Sequence, residues 1–194
     1  MVNRPVILTD VDGVLLNWEY AFNVWIQQQG YQLVDGWEDH YDMHSRYGML
    51  PEKKKELIKF FNESAAIGFL PPLRDAIHYV QKLHREHGYV FHVITSLSLD
   101  PSAQKLRTMN LQKLFGETVF ERFVYLDTGA DKDEALAEYA GSELLWVEDK
   151  PENAIEGLKQ GLDSVLVEHS HNMNVQNIPL MKNWKDIYEY EVGV

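Results

Sequence analysis

Two aspartates separated by one residue follow an apolar run near the start of the chain. The residues from Val6 to Thr9 are mostly branched and apolar, and Asp10, Asp12 and Gly13 come directly after them. Such a run is typical of a strand that is buried on both faces of a parallel sheet. While the chain stays extended, side chains two positions apart point to the same side, so the two carboxylates repel each other unless a cation lies between them. The spacing therefore predicts a site for a hard, oxygen-binding ion such as Mg²⁺.

Polar residues also follow other apolar runs of the chain. Thr95 and Ser96 follow one run, Glu148 and Asp149 follow another, and Lys132 lies in a polar stretch behind a third. The carboxyl ends of parallel strands meet at one edge of a sheet, where such sheets usually bind ligands. In a doubly wound strand order, we expect these side chains to converge with the two N-terminal aspartates.

Lys132 occupies a position that is unfavourable for a lysine on local grounds. Asp131 and Glu134 have the spacing of a capping box, which predicts that Asp131 caps a helix and that Lys132 lies in its first turn. The helix dipole disfavours a cation there. Lys132 is therefore either an anion-binding residue or a surface lysine paired with a neighbouring aspartate. Lys150, next to Asp149, is a competing phosphate-binding candidate, but its place ahead of a proline favours Lys132.

The second part of the chain alternates between helix-like and strand-like segments. The pattern predicts helices over 74–87, 101–114, 133–140 and 151–160, and strands over 89–95, 123–126, 144–147 and 164–167. This alternation is typical of βαβ units. Together with the first strand it predicts an α/β fold, a doubly wound, Rossmann-like parallel sheet of five strands. Residues 184–190 are predicted to form a short closing helix.

Residues 14–73 are rich in aromatic side chains and follow a helical pattern over 19–29 and 51–64. Gly30 suits a helix end, and Pro51 suits a first turn. We interpret 14–73 as a helical subdomain inserted after the first strand, with 1–13 and 74–194 forming the core. Most of its rings are expected to pack against one another. The rings that we single out as candidates for contact with a substrate are Trp18, Phe22, Trp37 and Tyr41.

The composition is that of an acidic globular protein. The 194 residues, 45% hydrophobic and 25% charged, suffice for one core with an insertion. With 30 acidic and 18 basic residues the net charge is −12, which disfavours binding to nucleic acid polymers and to anionic membranes. No cysteine occurs, so disulfides and thiolate metal sites are excluded. Since neither a signal peptide pattern nor a membrane-spanning run is present, we expect a cytoplasmic protein.

The order of the polar motifs resembles that of the haloacid dehalogenase-like (HAD) phosphohydrolases. The matching residues, within about residues 1 to 170, are Asp10-x-Asp12-Gly13-Val14, Thr95-Ser96, Lys132 and Glu148-Asp149. The inserted helices resemble the C1-type cap of that superfamily. The resemblance implies a Mg²⁺-dependent phosphomonoesterase that acts on a small phosphorylated metabolite through an aspartyl-phosphate intermediate.

The resemblance also assigns roles to the acidic residues. Asp10 would be the nucleophile and Asp12 the general acid and base. Mg²⁺ would be bound by Asp10, Asp149 and the main-chain carbonyl of Asp12. Glu148, at a position where many relatives have aspartate, would support the metal from its outer shell.

The same resemblance implies that Thr95, Ser96 and Lys132 bind the phosphate group. The stretch 10–22 is similar to the start of the 5'(3')-deoxyribonucleotidases, in which aromatic cap residues contact the nucleobase. A nucleoside monophosphate is therefore the first substrate candidate, and a sugar phosphate is the alternative.

Two other functions are compatible with these motifs. A phosphotransferase or mutase of the same superfamily would pass the phosphoryl group to an acceptor other than water. A non-catalytic protein with the same fold is a third possibility, because a fold alone does not specify a function. The presence of every member of the motif set argues against the last of these.

Other charged residues have less specific interpretations. Lys105 and Arg107 lie on the helix after Thr95, where we interpret them as surface charges, with assistance to phosphate binding as the alternative. The paired histidines lack a third ligand at a recognisable spacing, so we expect structural or solvated roles for them. These pairs are His84 with His87, and His169 with His171.

Overall fold

The computed structural model describes residues 4–37 and 43–194. One parallel sheet runs through it in the order β3-β2-β1-β4-β5-β6. The strands are β1 (Val6–Thr9), β2 (Val90–Ser96), β3 (Phe120–Leu126), β4 (Leu145–Glu148), β5 (Asp163–Val167) and β6 (Leu180–Met181). Because β1 lies between β2 and β4, the predicted doubly wound arrangement is confirmed.

The sheet has six strands, where the sequence pattern predicts five. The additional strand, β6, has two residues and pairs in parallel with β5 at the sheet edge. A pair of apolar residues is too short to show strand periodicity, which explains why the sequence did not indicate it. The strand β3 also begins at Phe120, three residues before the predicted start at Phe123.

The helices cover both faces of this sheet or lie in the interval between β1 and β2. They are α1 (Trp18–Gln28), α2 (Met43–Arg46), α3 (Pro51–Asn62), α4 (Ala76–His87), α5 (Pro101–Phe115), α6 (Asp133–Ala137), α7 (Pro151–Lys159) and α8 (Trp184–Val192). Local signals set their starts: Asn17 accepts a hydrogen bond from the amide of Tyr20, and Asp100 accepts one from Ala103 at 2.8 Å. None of the described helices is long and apolar enough to cross a membrane.

The central strand is buried on both faces, as its continuous apolar run predicts. Ile7 packs in one cluster with Val93 and Val147, while Leu8 packs in a second with Trp146. Alternate residues of a strand point to opposite faces, so the two clusters lie on the two sides of the sheet. This burial fixes the position at which β1 ends and Asp10 begins.

The part of the β1–β2 interval that precedes α4 contains α1, α2, α3 and a 3₁₀ turn at Ala65–Phe69. Phe22 and Phe61 are fully buried within it, and the rings of Trp18 and Phe22 stack at 4.8 Å. Asn62 joins this region to the strand ends: its Oδ1 accepts from Trp18 Nε1, and its Nδ2 donates to the carbonyl of Leu97 at 3.1 Å. The helical interval is thus tied to the loop that follows β2.

Candidate active site

Side chains from the ends of β1 and β4 and from the start of α6 meet in one buried cluster. Lys132 Nζ lies 2.9 Å from Asp10 Oδ1 and 2.8 Å from Glu148 Oε1. The lysine side chain is 2% exposed, and that of Glu148 is fully buried. Burial opposes the charge on Lys132, but the neighbouring Asp10 and Glu148 carboxylates raise its pKa above the ordinary value. The cluster therefore favours the charged form of a lysine that lies between two acidic groups.

The helix α6 begins one residue later than the capping-box pattern predicts. Lys132 itself occupies the N-cap position, and no side chain caps the helix. Asp131 is exposed, so the predicted cap at Asp131 with Glu134 as its partner is wrong. The backbone carbonyl of Lys132 accepts from Leu136 at 2.9 Å. Lys132 thus lies at the turn into the helix, and its side chain points inward to the carboxylates.

Glu148 is fully engaged by groups around it. Its Oε1 accepts from Lys132 and from Asn153 Nδ2, and its Oε2 accepts from the backbone amide of Asp149 at 2.7 Å. Burial alone would raise its pKa, yet the Lys132 charge and these hydrogen bonds hold the pKa of Glu148 below its usual range. Glu148 is suited to orienting its neighbours because its oxygens are already occupied.

The surroundings of Asp10 and Asp149 disfavour their charged forms, whereas the surroundings of Glu148 favour its charged form. Oxygens of these three carboxylates lie within 4.8 Å of one another. Burial, with Glu148 and Asp12 nearby, raises the pKa of Asp10 to about 7 despite the Lys132 charge. Burial and the charges of Glu148 and Asp10 likewise raise the pKa of Asp149 well above its ordinary value. Lys132 cannot neutralise all of this negative charge.

The donor set fits a hard divalent cation. Asp10 Oδ1 has Lys132 as an ion-pair partner at 2.9 Å, but no described residue aligns a hydrogen-bond donor with this buried oxygen. Buried carboxylates with excess negative charge and oxygen ligands only are the surroundings in which Mg²⁺ binds. The structure thus brings Asp10 and Asp149 together as the sequence predicts, and it places Glu148 beside them.

Gly13 allows this close approach. Its φ is +77°, a conformation that side chains disfavour, and a Cβ at this position would lie 2.5 Å from Asp149 Oδ2. Any larger residue would push the loop after β1 away from the loop after β4. The glycine of the Asp-x-Asp-Gly motif is therefore needed both for the turn and for the space.

Asp12 lies on the other side of this loop and pairs with Arg107. Nη1 of Arg107 donates to Asp12 Oδ1 at 2.5 Å, and Nη2 donates to Oδ2 at 3.3 Å. The Arg107 side chain is fully buried. Its interpretation as a surface charge is therefore wrong, whereas Lys105, two residues earlier on a different face of the helix, is exposed as expected.

The loop after β5 supplies histidines that sequence reasoning assigned to structural or solvated positions. His169 Nε2 lies 2.6 Å from the carbonyl oxygen of Gly13, and His171 Nε2 lies 2.9 Å from that of Asp149. Asn172 Nδ2 donates to the same Asp149 carbonyl at 2.8 Å. These residues follow the end of a strand at the same sheet edge as the acidic cluster, and that placement is the signal that could have found them.

The three phosphate-binding candidates line one cavity of about 710 Å³ together with Asp10, Asp12 and Asp149. Thr95 is buried at the end of β2, and the Ser96 hydroxyl donates to the carbonyl of Ala130 at 2.7 Å. Lys150, the competing candidate, also lines the cavity, but its side chain is exposed. The structure therefore brings Thr95, Ser96 and Lys132 to the same opening.

The four aromatic candidates have different surroundings. Trp18 lines the cavity, with Met43, Lys54 and Ile58 nearby on its wall. Phe22 is fully buried against Trp18 and Phe61, so it cannot contact a substrate in this conformation. The Arg46 guanidinium lies 5.6 Å from the ring of Trp37, away from the cavity lining. Tyr41 lies outside the described residues.

Comparison with solved structures places this architecture in a known group. A haloacid dehalogenase-like hydrolase of Streptococcus pneumoniae aligns with a TM-score of 0.64 at 15% identity, over 98% of this chain and 100% of that one. YfnB of Bacillus subtilis, solved with bound magnesium, aligns at 0.63 and 14% identity, over 97% and 98%. The fold is that of the HAD-like hydrolases. CbbY of Rhodobacter sphaeroides, solved with phosphate, shares this HAD-like fold at 0.57 and 17% identity, over 94% and 95%.

Sequence comparison adds one curated relative. The uncharacterized 32.4 kDa protein from the Gp30-rIII intergenic region of Enterobacteria phage T4 is 29% identical over 117 residues. The match covers 58% of this chain and 41% of that protein, so the chain spans less than half of the relative's length. No protein-family model matches the chain.

Proposed function

We propose that this protein is a Mg²⁺-dependent phosphomonoesterase that acts through an aspartyl-phosphate intermediate. The observation that carries the proposal is the buried cluster of Asp10, Asp149, Glu148 and Lys132 at the edge of the cavity. Its residue types, its place at the strand ends and the HAD-like fold all support this chemistry. The neighbours solved with magnesium and with phosphate support it further.

Asp10, Asp149 and the main-chain carbonyl of Asp12 would hold the cation. Once bound there, Mg²⁺ would offset the negative charge of the nucleophile and of the transferring phosphoryl group. Glu148 would orient this set from behind, because its own oxygens are occupied by Lys132, Asn153 and the backbone.

The protein's own residues would carry the two displacements. An Asp10 carboxylate oxygen attacks phosphorus, the bond from phosphorus to the leaving oxygen breaks, and Asp12 gives its proton to that oxygen. Asp12 then takes a proton from water as the water oxygen attacks the phosphorus of the aspartyl-phosphate. The bond between phosphorus and the Asp10 oxygen then breaks, which releases phosphate and restores the Asp10 carboxylate. Lys132, Thr95 and Ser96 would bind the remaining phosphoryl oxygens.

The helical interval 14–73 would act as a cap over the core formed by 1–13 and 74–194. Trp18, Met43, Lys54 and Ile58 contribute to the cavity wall from this side, which supports a role in substrate selection. Trp18 is partly exposed, and an aromatic ring that stacks on a nucleobase contributes about 1–3 kcal/mol. We therefore favour a nucleoside monophosphate, with Trp18 as the stacking residue, over a sugar phosphate.

The test is phosphate release from three substrate groups: nucleoside monophosphates, sugar phosphates and a chromogenic aryl phosphate. Each is assayed with Mg²⁺ and with chelator, and an exposed-residue variant such as Lys105→Met serves as the control. Mg²⁺-dependent release is expected, with a preference among the natural substrates. Release that begins only when an alcohol acceptor is added would indicate a phosphotransferase. Absence of release under all these conditions would overturn the proposal.

A further inference from the structure

Arg107 is a buried cation that lies outside the four HAD-like motifs of this chain. It lies in the middle of α5, its side chain is fully buried, and it does not line the cavity. Its Nε has no hydrogen-bond partner among the described residues. The two contacts to Asp12 therefore neutralise the charge of the guanidinium within this part of the structure. Desolvating an arginine in this way is costly unless its carboxylate partner is well aligned.

The geometry restrains Asp12 at both oxygens. A guanidinium presents two parallel donors in a rigid plane, so a two-pronged contact fixes the plane of the carboxylate as well as its distance. The two prongs are unequal, at 2.5 Å to Oδ1 and 3.3 Å to Oδ2. Oδ1 is therefore committed to Arg107, and Oδ2 is the more weakly held oxygen.

The restraint originates from the helix that follows the phosphate-binding strand end. Thr95 and Ser96 end β2, and α5 starts at Pro101 after a short loop. The next residue of the helix, Thr108, shares a hydrogen bond with the hydroxyl of Tyr125 on β3 at 2.8 Å. Arg107 thus approaches Asp12 from a segment held against the sheet, which gives the aspartate a fixed support.

We propose that Arg107 is a positioning residue, which holds the Asp12 carboxyl at the angle needed to reach the leaving-group oxygen of the substrate. This inference rests on the proposed phosphatase function, in which Asp12 transfers a proton to that oxygen. Arg107 does not touch the substrate; it acts through Asp12. Substitution of Arg107 should therefore lower kcat only for substrates whose leaving group needs a proton from Asp12.

The experiment compares two leaving groups. A chromogenic aryl phosphate has an acidic leaving group that needs little proton transfer, whereas an alkyl phosphate needs a general acid, which contributes about 10²–10⁴-fold. Arg107→Met should lower kcat for the alkyl phosphate about 10²-fold, with a much smaller loss for the aryl phosphate and a nearly unchanged KM for both. Arg107→Lys should recover part of the loss. Lys105→Met removes a lysine charge from the same helix at an exposed position and should match wild type.

A purely structural role would lower kcat equally for both substrates, and that result would overturn the inference. In an Asp12→Asn background, adding Arg107→Lys should change neither rate further; an additive loss would likewise contradict it. If Arg107→Met does not fold, as judged by circular dichroism, Arg107→Lys is compared with the wild type and with Asp12→Asn instead. Absence of release by the wild type would instead remove the proposed function itself, so the two failures are distinguishable.

Discussion

The two aspartates of the first loop, separated by a single residue, lie in opposite surroundings. Asp10 is in a buried acidic cluster, where the charge of Lys132 is shared with Glu148 and the pKa of Asp10 is raised to about 7. Asp12 keeps 23% of its side chain exposed and has a cation of its own, since Arg107 contacts both of its oxygens. One carboxylate has too little positive charge around it, and the other has a dedicated partner.

This difference indicates how one short motif can provide two chemical roles. Neighbouring carboxylates can serve different functions when their environments treat the charged form differently. The excess of negative charge around Asp10 favours a cation there and, in the proposed reaction, an electrophilic phosphorus atom. The paired and partly exposed Asp12 is instead suited to a fixed orientation at the cavity. Replacing Asp10 and Asp12 one at a time tests this difference.

The largest expected effect is on turnover when Asp10 is replaced. Asp10→Asn removes the proposed nucleophile while it preserves the shape, so kcat for phosphate release should fall by at least about 10³-fold. The circular dichroism spectrum should remain that of the wild type. The control Asp35→Asn neutralises an exposed acid and should retain full activity. Appreciable turnover by Asp10→Asn would contradict the role assigned to Asp10.

The same two positions should respond in opposite directions when folding is measured. Asp12→Asn leaves Arg107 buried without a charged partner, so the free energy of unfolding should fall by about 1–3 kcal/mol. Asp10→Asn removes a carboxylate from an overcrowded acidic cluster, so in chelator at pH 8 it should leave stability unchanged or raise it. Urea denaturation of both variants and the wild type measures this. Equal destabilisation at the two sites would remove the contrast between them.

Much of this arrangement follows from the sequence, because short-range patterns determine it. The apolar run before Asp10 and the run before Glu148 predict buried neighbouring strands, and both strands end at the same sheet edge. Lys132 is predicted because its charge lies where a helix start disfavours it. Those features need only the period of a strand, the chemistry of a helix end and the rule for parallel sheets.

Arg107 could not be assigned in the same way because its partner is distant in the chain. Its own helix nevertheless contains a signal: Ala103, Arg107, Asn110 and Leu111 have the spacing of one face, and all four are buried. An arginine on a core-facing stripe implies an internal acidic partner. The pattern cannot say which acid that is, because the answer depends on how α5 packs over the loop after β1. The same limit applies to His169 and His171, which reach the site across a sheet edge.

Stability of the chelated protein should depend on pH in a direction set by Asp10. Its pKa is about 7 in the folded state against an ordinary value of 3.8, so between these values the folded state binds more protons than the unfolded state. The free energy of unfolding should therefore fall as the pH rises from about 4 through about 7. Asp149, whose pKa is also raised, acts in the same direction.

Mg²⁺ should reverse part of this loss, because it binds the ionised carboxylates. The rise in melting temperature on adding Mg²⁺ should be larger at pH 8 than at pH 5.5, since a ligand that binds only the folded state stabilises it by mass action. Thermal melts with chelator and with Mg²⁺ at the two pH values measure this. Asp10→Asn should lose most of the Mg²⁺ effect. An equal Mg²⁺ effect at both pH values would show that the acidic cluster is not where the ion binds.

The smallest effect is expected from the loop that supports Asp149 from behind. His171 Nε2 lies 2.9 Å from the Asp149 carbonyl oxygen and 3.5 Å from Asp149 Oδ2, while Asn172 donates to the same carbonyl at 2.8 Å. His171→Ala should therefore weaken Mg²⁺ binding about tenfold, at the low end for residues that orient metal ligands. Isothermal titration calorimetry measures this, with His84→Ala, far from the cluster, as the control.

The modest size of that effect follows from shared support. Asp149 retains Asn172 when His171 is removed, whereas Asp12 loses the guanidinium that contacts both of its oxygens when Arg107 is removed. The double variant His171→Ala with Asn172→Ala should accordingly lower Mg²⁺ affinity by more than the sum of the two single changes in binding free energy. Strict additivity would mean that the two side chains act separately. In that case neither side chain would compensate for the loss of the other at Asp149.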